Sequence, residues 1–290
     1  MLPLTTHSLV ASFAVLFSLM RGGGNVNSNS NSNTNNNVVL WNSGSWPYAQ
    51  RSWIALKEKG VPFEHKIIDL SDKPQEFLDK YARVSPDKDA RAKVPLLEHG
   101  DRYVIESADV VKYIAQNIAG KTITDDRMYP LHDKTKRQQM DRFLEIWDKV
   151  VEQYVSFLRA ENEPQVQEAK PQLVAALEAL DEELAKFDDV GVNTSSLFLS
   201  GDIVFSAAEC IAAPWILRLY AMIPYFRGVQ VQDLIPAHCQ KVGPWMEAIK
   251  NRQSVIESSP ALESLIAASK RYFVTYITPG SPGDQSKEDS

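Results

Sequence analysis

"AKVPLLEHGDRYVIESADVVKYI", residues Ala92 to Ile114, packs two short apolar runs, a turn and the start of a helix into one stretch. "VPLLE" and "RYVI" read as strands separated by "HGD", a hairpin signal. "SADVVKYIAQNIAG" follows as a helix capped by Ser107 and stopped at Gly120. Within this stretch a Val94-Pro95 step opens a strand, and Glu106-Ser107 stands at a helix N-terminus eleven residues after Pro95. Val-Pro opens many strands and Ser is a routine helix cap, so neither feature means much alone. Their joint spacing has a physical use. A cis Val94-Pro95 bond would turn the Val94 backbone outward, where its N–H and C=O can pair with an extended peptide as an added strand does. The Ser107 hydroxyl and the first N–H groups of the helix form an anion site for a carboxylate, and Glu106 can hold an ammonium beside it.

Upstream, the pattern changes every ten to fifteen residues. "VVLW" (38 to 41) is a buried strand. "PYAQRSWIALKEKG" is a helix with Pro47 in its first turn and Gly60 just past its end, the usual asymmetry. "PFEHKIIDL" is a second strand and "KPQEFLDKYARV" a short helix. The order β-α-β-α-β-β-α, with a parallel βαβ start and a terminal hairpin, is the thioredoxin-like arrangement. Everything beyond it is helical. Residues 130 to 160 and 165 to 187 carry long apolar faces that suit an antiparallel pair, with Met140, Phe143, Leu144, Trp147, Val151, Tyr154 and Leu158 along one side. A third helix runs from Ser206 to about Ile223, and shorter ones occupy 241 to 251 and 258 to 273.

The predicted fold class is therefore an α/β thioredoxin-like N-terminal domain followed by an all-α helical C-terminal domain. The expected boundaries are a leader and linker over 1–37, the thioredoxin-like domain over 38–120, the helical domain over 121–277 and a disordered tail over 278–290. At 290 residues two domains plus tails is the sensible prior. Residues 9 to 20, "LVASFAVLFSLM", are too short for a bilayer span of ~20 residues and suit a signal-peptide core, although no Lys or Arg precedes them. "NVNSNSNSNTNNN" (25 to 37) has almost nothing that can pack. Asn193-Thr194-Ser195 matches a glycosylation acceptor, which matters only for an exported chain.

The chain's formal charge is −6, yet residues 38 to 120 hold twelve Lys/Arg and twelve Asp/Glu. An anionic ligand thus meets no repelling net charge in the first domain. No basic stripe with interleaved aromatics is present, which argues against nucleic acid. The two cysteines, Cys210 and Cys239, make neither a CxxC pair nor a metal constellation and read as buried thiols.

These motifs together resemble the soluble glutathione transferases over residues 38 to 273. The resemblance is carried by "PYAQRSWIALKEKG", "LSDKP", "KVPLLE", "ESADVVKYI" and "FLSGDIVFSAAECIAAPWILRL". In the last of these, Ser206 and Glu209 fit a capping box and Pro214 falls inside the helix. "AQRSWIAL" and "KVPLLEHG" are most similar to the lambda and omega classes. The resemblance implies glutathione as co-substrate, no metal, an electrophilic or hydrophobic small molecule as second partner, a homodimer in omega-like members and a cytoplasmic location. The leader instead suggests secretory or organelle targeting. The resemblance further implies a glutathione site of Trp46, Lys73, Lys93, Val94, Pro95, Glu106 and Ser107. Arg51 reads as a structural partner for an acid, on the exposed face of its helix.

Lambda and omega proteins carry a cysteine directly before the helix-starting Pro. Trp46 holds that position here, and no cysteine occurs in residues 1 to 209. Disulfide exchange needs a thiolate attacker, so an enzyme cysteine is hard to support. Other classes of the family this chain resembles place a Ser or Tyr hydroxyl at this corner to hold glutathione as thiolate, and the resemblance thus offers Ser45 first, Ser43 second and Tyr48 third. Lowering a thiol pKa from ~8.5 to ~6.5 needs about 2.7 kcal/mol. One hydrogen bond to the charged form supplies roughly 1.5–3 kcal/mol and a helix N-terminus roughly 0.3–1 kcal/mol. Trp46 either walls the sulfur pocket or plugs it. Tyr154, Trp215, Leu219 and Tyr220 could line a second-substrate pocket on the helical side, against the simpler reading that they are core. The leading expectation is glutathione transfer to an electrophile. A non-catalytic binding protein for a hydrophobic ligand or partner is the alternative, and a glutathione-dependent thiol reductase comes third.

Overall fold

The computed structural model describes residues 37–87, 89–120, 125–187, 197–200 and 204–279. The leader, most of the linker, the Asn193-Thr194-Ser195 triplet and all but the first residues of the tail lie outside them. The elements are β1 (Val38–Asn42), α1 (Pro47–Lys59), β2 (Glu64–Ile67), α2 (Gln75–Val84), β3 (Leu96–His99), β4 (Arg102–Val104) and α3 (Ser107–Asn117). A short turn of helix α4 (Asp125–Met128) precedes α5 (Lys134–Arg159), α6 (Glu163–Ala185), α7 (Ala207–Arg227), α8 (Val242–Lys250), α9 (Gln253–Ser258) and α10 (Leu262–Ser269).

The four strands lie in the order β2-β1-β3-β4. β1 runs parallel to β2 and antiparallel to β3, and β3 pairs with β4 as the hairpin read from the sequence. β1 is central and wholly buried, which is why it reads as a continuous apolar run rather than an alternating one. Its period of two still sorts side chains by face. Val39 and Trp41 join Ala49, Ile68, Phe77, Tyr81, Val94 and Leu96 in a small core, while Val38 and Leu40 face α1, α3 and the large core of the helical half.

α1 starts at Pro47 and ends where Gly60 adopts φ 64°, a left-handed cap that returns its N–H to the Leu56 and Lys57 carbonyls. α3 departs from the expectation at both ends. Its cap position is Glu106, with no side-chain cap, and Ser107 is its first helical residue. It also stops at Asn117, before Gly120. Gly120 serves packing instead: a Cβ there would lie 2.4 Å from the Lys59 carbonyl oxygen. α7 runs a turn beyond the expected Ile223, to Arg227, before Gly228 caps it at φ 66°. The last expected helix, 258 to 273, is shorter: α10 begins only at Leu262, after Pro260, and ends at Ser269, while the short α9 before it, Gln253–Ser258, was not expected.

The predicted Ser206/Glu209 capping box is present. Glu209 is fully buried and accepts from the N–H groups of Ser206 and Leu199, both at 2.8 Å, and from the Ser206 hydroxyl. Burial still raises its carboxyl above the ordinary range, against those hydrogen bonds. α7 thereby gains a fixed start, and it lies against both α1 and α5. Polar ties also join α1 to α9. Arg252 grips the buried Glu58 through two bonds of 2.9 and 2.8 Å, and the Ser254 hydroxyl donates to the same carboxylate.

Candidate functional site

The site forms where α1, the Val94-Pro95 step and the head of α3 meet α5 and α7. The Val94-Pro95 bond is cis. β3 is an interior strand of the sheet, so no sheet edge is offered there. The ladder with β1 begins only at Leu96, opposite Trp41, which leaves the Val94 backbone outside the paired region.

Glu106 is exposed and sits at φ 63°, ψ 114°, a conformation that costs a non-glycine residue free energy. It sets the carboxylate apart from the helix that follows. Next to it, Ser107 is buried, and its Oγ accepts from Arg51 Nη1 at 3.1 Å. Arg51 also donates from Nε to the Ile211 carbonyl in α7 at 3.0 Å, and its guanidinium lies 4.9 Å from the Tyr48 ring centroid. The expectation that Arg51 occupies the exposed face of its helix is thus overturned. It is buried, it bridges the two halves, and burial lowers its pKa, opposed by Tyr48 and Asp148. The serine hydroxyl does not cap the helix, since Ser107 is its first residue, and it accepts from the guanidinium instead.

At the head of α1, Trp46 is the cap residue and contributes no side-chain cap, while its carbonyl accepts from Gln50 N–H at 3.1 Å. Its indole is half-buried against the small core that contains Val94 and Ala49. Ser45 is exposed and Ser43 buried, with the Ser43 N–H bonded to Asn42 Oδ1 at 2.7 Å. Tyr48 packs edge-on to Trp215, ring centroids 5.7 Å apart. Burial first, and the charges of Asp148 and Glu106 after it, push the Tyr48 phenol up to about 12 against the pull of Arg51. That phenol stays neutral at any working pH.

Lys73 is half-buried and Lys93 exposed. Desolvation lowers the Lys73 ammonium below its usual value, and the neighbouring Arg91 adds to this. The Lys93 N–H bonds the Tyr81 phenol, which also feels Glu106. Three predicted pocket residues sit elsewhere than expected. Tyr154 and Leu219 are sealed in the helical core, and Trp215 is 7% exposed. Tyr154 donates to the Arg218 carbonyl at 3.4 Å, and burial raises its pKa. Tyr154 and Trp215 pack edge-on against each other, ring centroids 6.3 Å apart, and Leu219 is buried in the same core, as their helical spacing allowed.

Sequence reasoning missed Tyr81, Gln50, Asp148 and Arg218. Arg218 is buried, and it donates to the Ser45 carbonyl at 2.8 Å, Gln50 Oε1 at 3.1 Å and the Pro214 carbonyl at 2.6 Å. A lone arginine inside the apolar "APWILRLYAM" is a signal, since a buried guanidinium must find acceptors. Among the described residues no cluster of metal ligands occurs, and no helix is long and apolar enough to cross a membrane.

Residues 44–122 match the family model for the glutathione S-transferase N-terminal domain, and residues 163–251 that for the C-terminal domain. The chain is 30% identical to "Probable glutathione S-transferase DHAR1, cytosolic" of Oryza sativa subsp. japonica over 77% of this chain and 88% of that protein. Among solved structures it is similar to glutathione transferase Omega 3C from Trametes versicolor (TM-score 0.63, 21% identity, 81% of this chain and 91% of that one). It is similar also to rice GST1 in complex with glutathione (TM-score 0.63, 22% identity, 82% and 98%).

Proposed function

The chain belongs to the glutathione S-transferase family, and from that premise we propose that it binds glutathione in the groove beside Val94 and transfers it, as thiolate, to an electrophilic small molecule. The observation that carries this reading is the pairing at the head of α3, where an exposed carboxylate, Glu106, precedes a serine, Ser107, fixed by a buried guanidinium. An α-amino acid end carries an ammonium and a carboxylate one carbon apart, and the two side chains match them in order. The Val94 backbone takes the peptide's middle, next to Pro95, and the cations Lys73 and Lys93 meet its far carboxylate. The sulfur then falls at the head of α1, beside Trp46, whose indole walls the pocket. Ser45, exposed there, is the hydroxyl assigned to the thiolate, and Ser43, buried, is the second candidate.

Glutathione titrated into the protein in a calorimeter is expected to saturate below millimolar concentration, and Glu106→Gln to weaken binding by about tenfold, as loss of a charged hydrogen bond does. The protein should also be retained on immobilised glutathione and conjugate a generic aryl halide. Ser45→Ala should reduce turnover and leave binding intact. No saturation at millimolar glutathione would end the assignment.

The sealing of Tyr154 and Leu219 favours a second reading, a glutathione-binding protein without catalysis. Retention without conjugation selects it.

A further inference from the structure

α7 is apolar along most of its length, and Arg218 interrupts it. The guanidinium is buried, and among the described residues no carboxylate pairs with it; its acceptors are the Ser45 and Pro214 carbonyls and the Gln50 amide oxygen. A full charge held away from water on neutral dipoles alone is costly. Burial accordingly lowers its pKa to about 10. The cost makes sense where an anion completes the arrangement.

The position of the charge says which anion. The Ser45 carbonyl and the Trp46 N–H belong to one peptide unit, and Trp46 is the cap residue of α1. Among the described residues nothing accepts from that N–H. A cation bonded to the carbonyl end of a peptide strengthens the N–H at its other end as a donor. We propose that Arg218 is a positioning residue that stabilises the thiolate of bound glutathione, by polarising the Ser45–Trp46 peptide and by standing behind it as an uncompensated positive charge. The inference rests on the glutathione reading above, and it supplies what the missing cysteine and a single serine do not: a fixed charge.

Other titratable groups face this corner. Glu106 at the head of α3 and Asp148 on α5 are acids and oppose a thiolate. Tyr48 on α1 and Tyr154 on α5 have raised pKa values and remain neutral. α9 contributes the uncharged Ser258, which accepts from Gln50 Nε2 at 3.2 Å. Arg51 is the second cation, but it is engaged by Ser107 and has Asp148 as a neighbouring acid. Arg218 is left as the charge without an acid.

The test is the thiolate absorbance of glutathione bound to the full-length protein, titrated against pH. In the wild type the bound thiol should titrate at least about one unit below its ordinary ~8.5. Arg218→Met should raise that value by about one unit or more, a roughly tenfold loss of thiolate at neutral pH, while Arg218→Lys retains most of the shift. A wild-type thiol with an unshifted pKa overturns the inference with no variant needed, and so does an Arg218→Met protein that titrates like the wild type. An Arg218→Lys protein as defective as Arg218→Met overturns it too, because the shape of the fork, and not its charge, would then matter. Calorimetry on the same samples separates the two levels: saturable glutathione binding with an unshifted thiol sinks only the role of Arg218, whereas no binding sinks the glutathione reading and this inference with it.

Discussion

Replacing Arg51 with Met tests whether the carboxylate end of the groove depends on a buried cation. The guanidinium makes two buried hydrogen bonds, to Ser107 Oγ at 3.1 Å and to the Ile211 carbonyl at 3.0 Å. Bonds from a charged donor contribute about 1.5–3 kcal/mol each, so their gross loss is about 3–6 kcal/mol. Part of this is recovered, because methionine no longer holds a desolvated charge, and buried ions exchanged for apolar side chains of similar volume are often neutral. A net destabilisation of about 1–3 kcal/mol is expected from the shift in urea midpoint at constant slope. The sharper quantity is the coupling with Ser107. If Arg51 acts through that hydroxyl, donating to the Ser107 oxygen and leaving the hydroxyl proton to point outward, then Ser107→Ala already removes most of the benefit to glutathione. A cycle of Arg51→Met, Ser107→Ala and the double variant, read as glutathione affinity by calorimetry, should show a coupling of at least about 1 kcal/mol. Affinities that add to within about 0.5 kcal/mol would refute the argument.

Two further outcomes follow from the same geometry. The Tyr48 phenol, pushed up to about 12, stays protonated between pH 6 and 9, so the pH profile of conjugation by Tyr48→Phe should overlay that of the wild type over that range; a displaced limb would mean that the phenol titrates with the reaction. Gly120→Ala places a Cβ 2.4 Å from the Lys59 carbonyl oxygen, an overpacking against backbone that should cost about 1–3 kcal/mol and lower the thermal midpoint, measured by scanning calorimetry.

The thioredoxin-like half was readable because its elements are short and each carries local punctuation. Pro47 and Gly60 bracket α1 and "HGD" turns the hairpin; in the helical half, Ser206 with Glu209 announces α7 in the same local way. What failed depended on partners distant in sequence. Ser107 looks like a cap because serine usually is one, but Arg51, fifty-six positions earlier, takes its hydroxyl. Arg51 looks like a surface residue because helical periodicity cannot tell solvent from a second domain packed on the same face. Tyr154 and Leu219 have the spacing of a pocket lining and of a core alike, and burial decided for core. Arg218 belongs to the helical half by sequence, yet its reach to Ser45 makes it part of the site, a contact across 173 positions that no local pattern encodes.

The thiol chemistry that remains can be decided with an alkylating agent. A lambda- or omega-type mechanism places an enzyme cysteine where Trp46 stands, and such a cysteine must be a reachable thiolate to attack a disulfide. The two cysteines present are neither. Cys210 is fully buried in α7, and burial, reinforced by Glu58 and Glu209, holds its thiol well above the ordinary range. Cys239 is buried too, and desolvation together with Asp181, Glu178 and Glu182 raises its pKa. At neutral pH both are protonated, and an alkylating agent reacts with the thiolate. Treatment of the folded protein with millimolar iodoacetamide, followed by removal of the reagent, should therefore leave aryl-halide conjugation unchanged, with both thiols recovered unmodified by mass spectrometry. Turnover that vanishes in step with modification of Cys210 or Cys239 would show that an enzyme thiol carries the reaction, and the sulfur nucleophile would have to be moved from glutathione to the helical half.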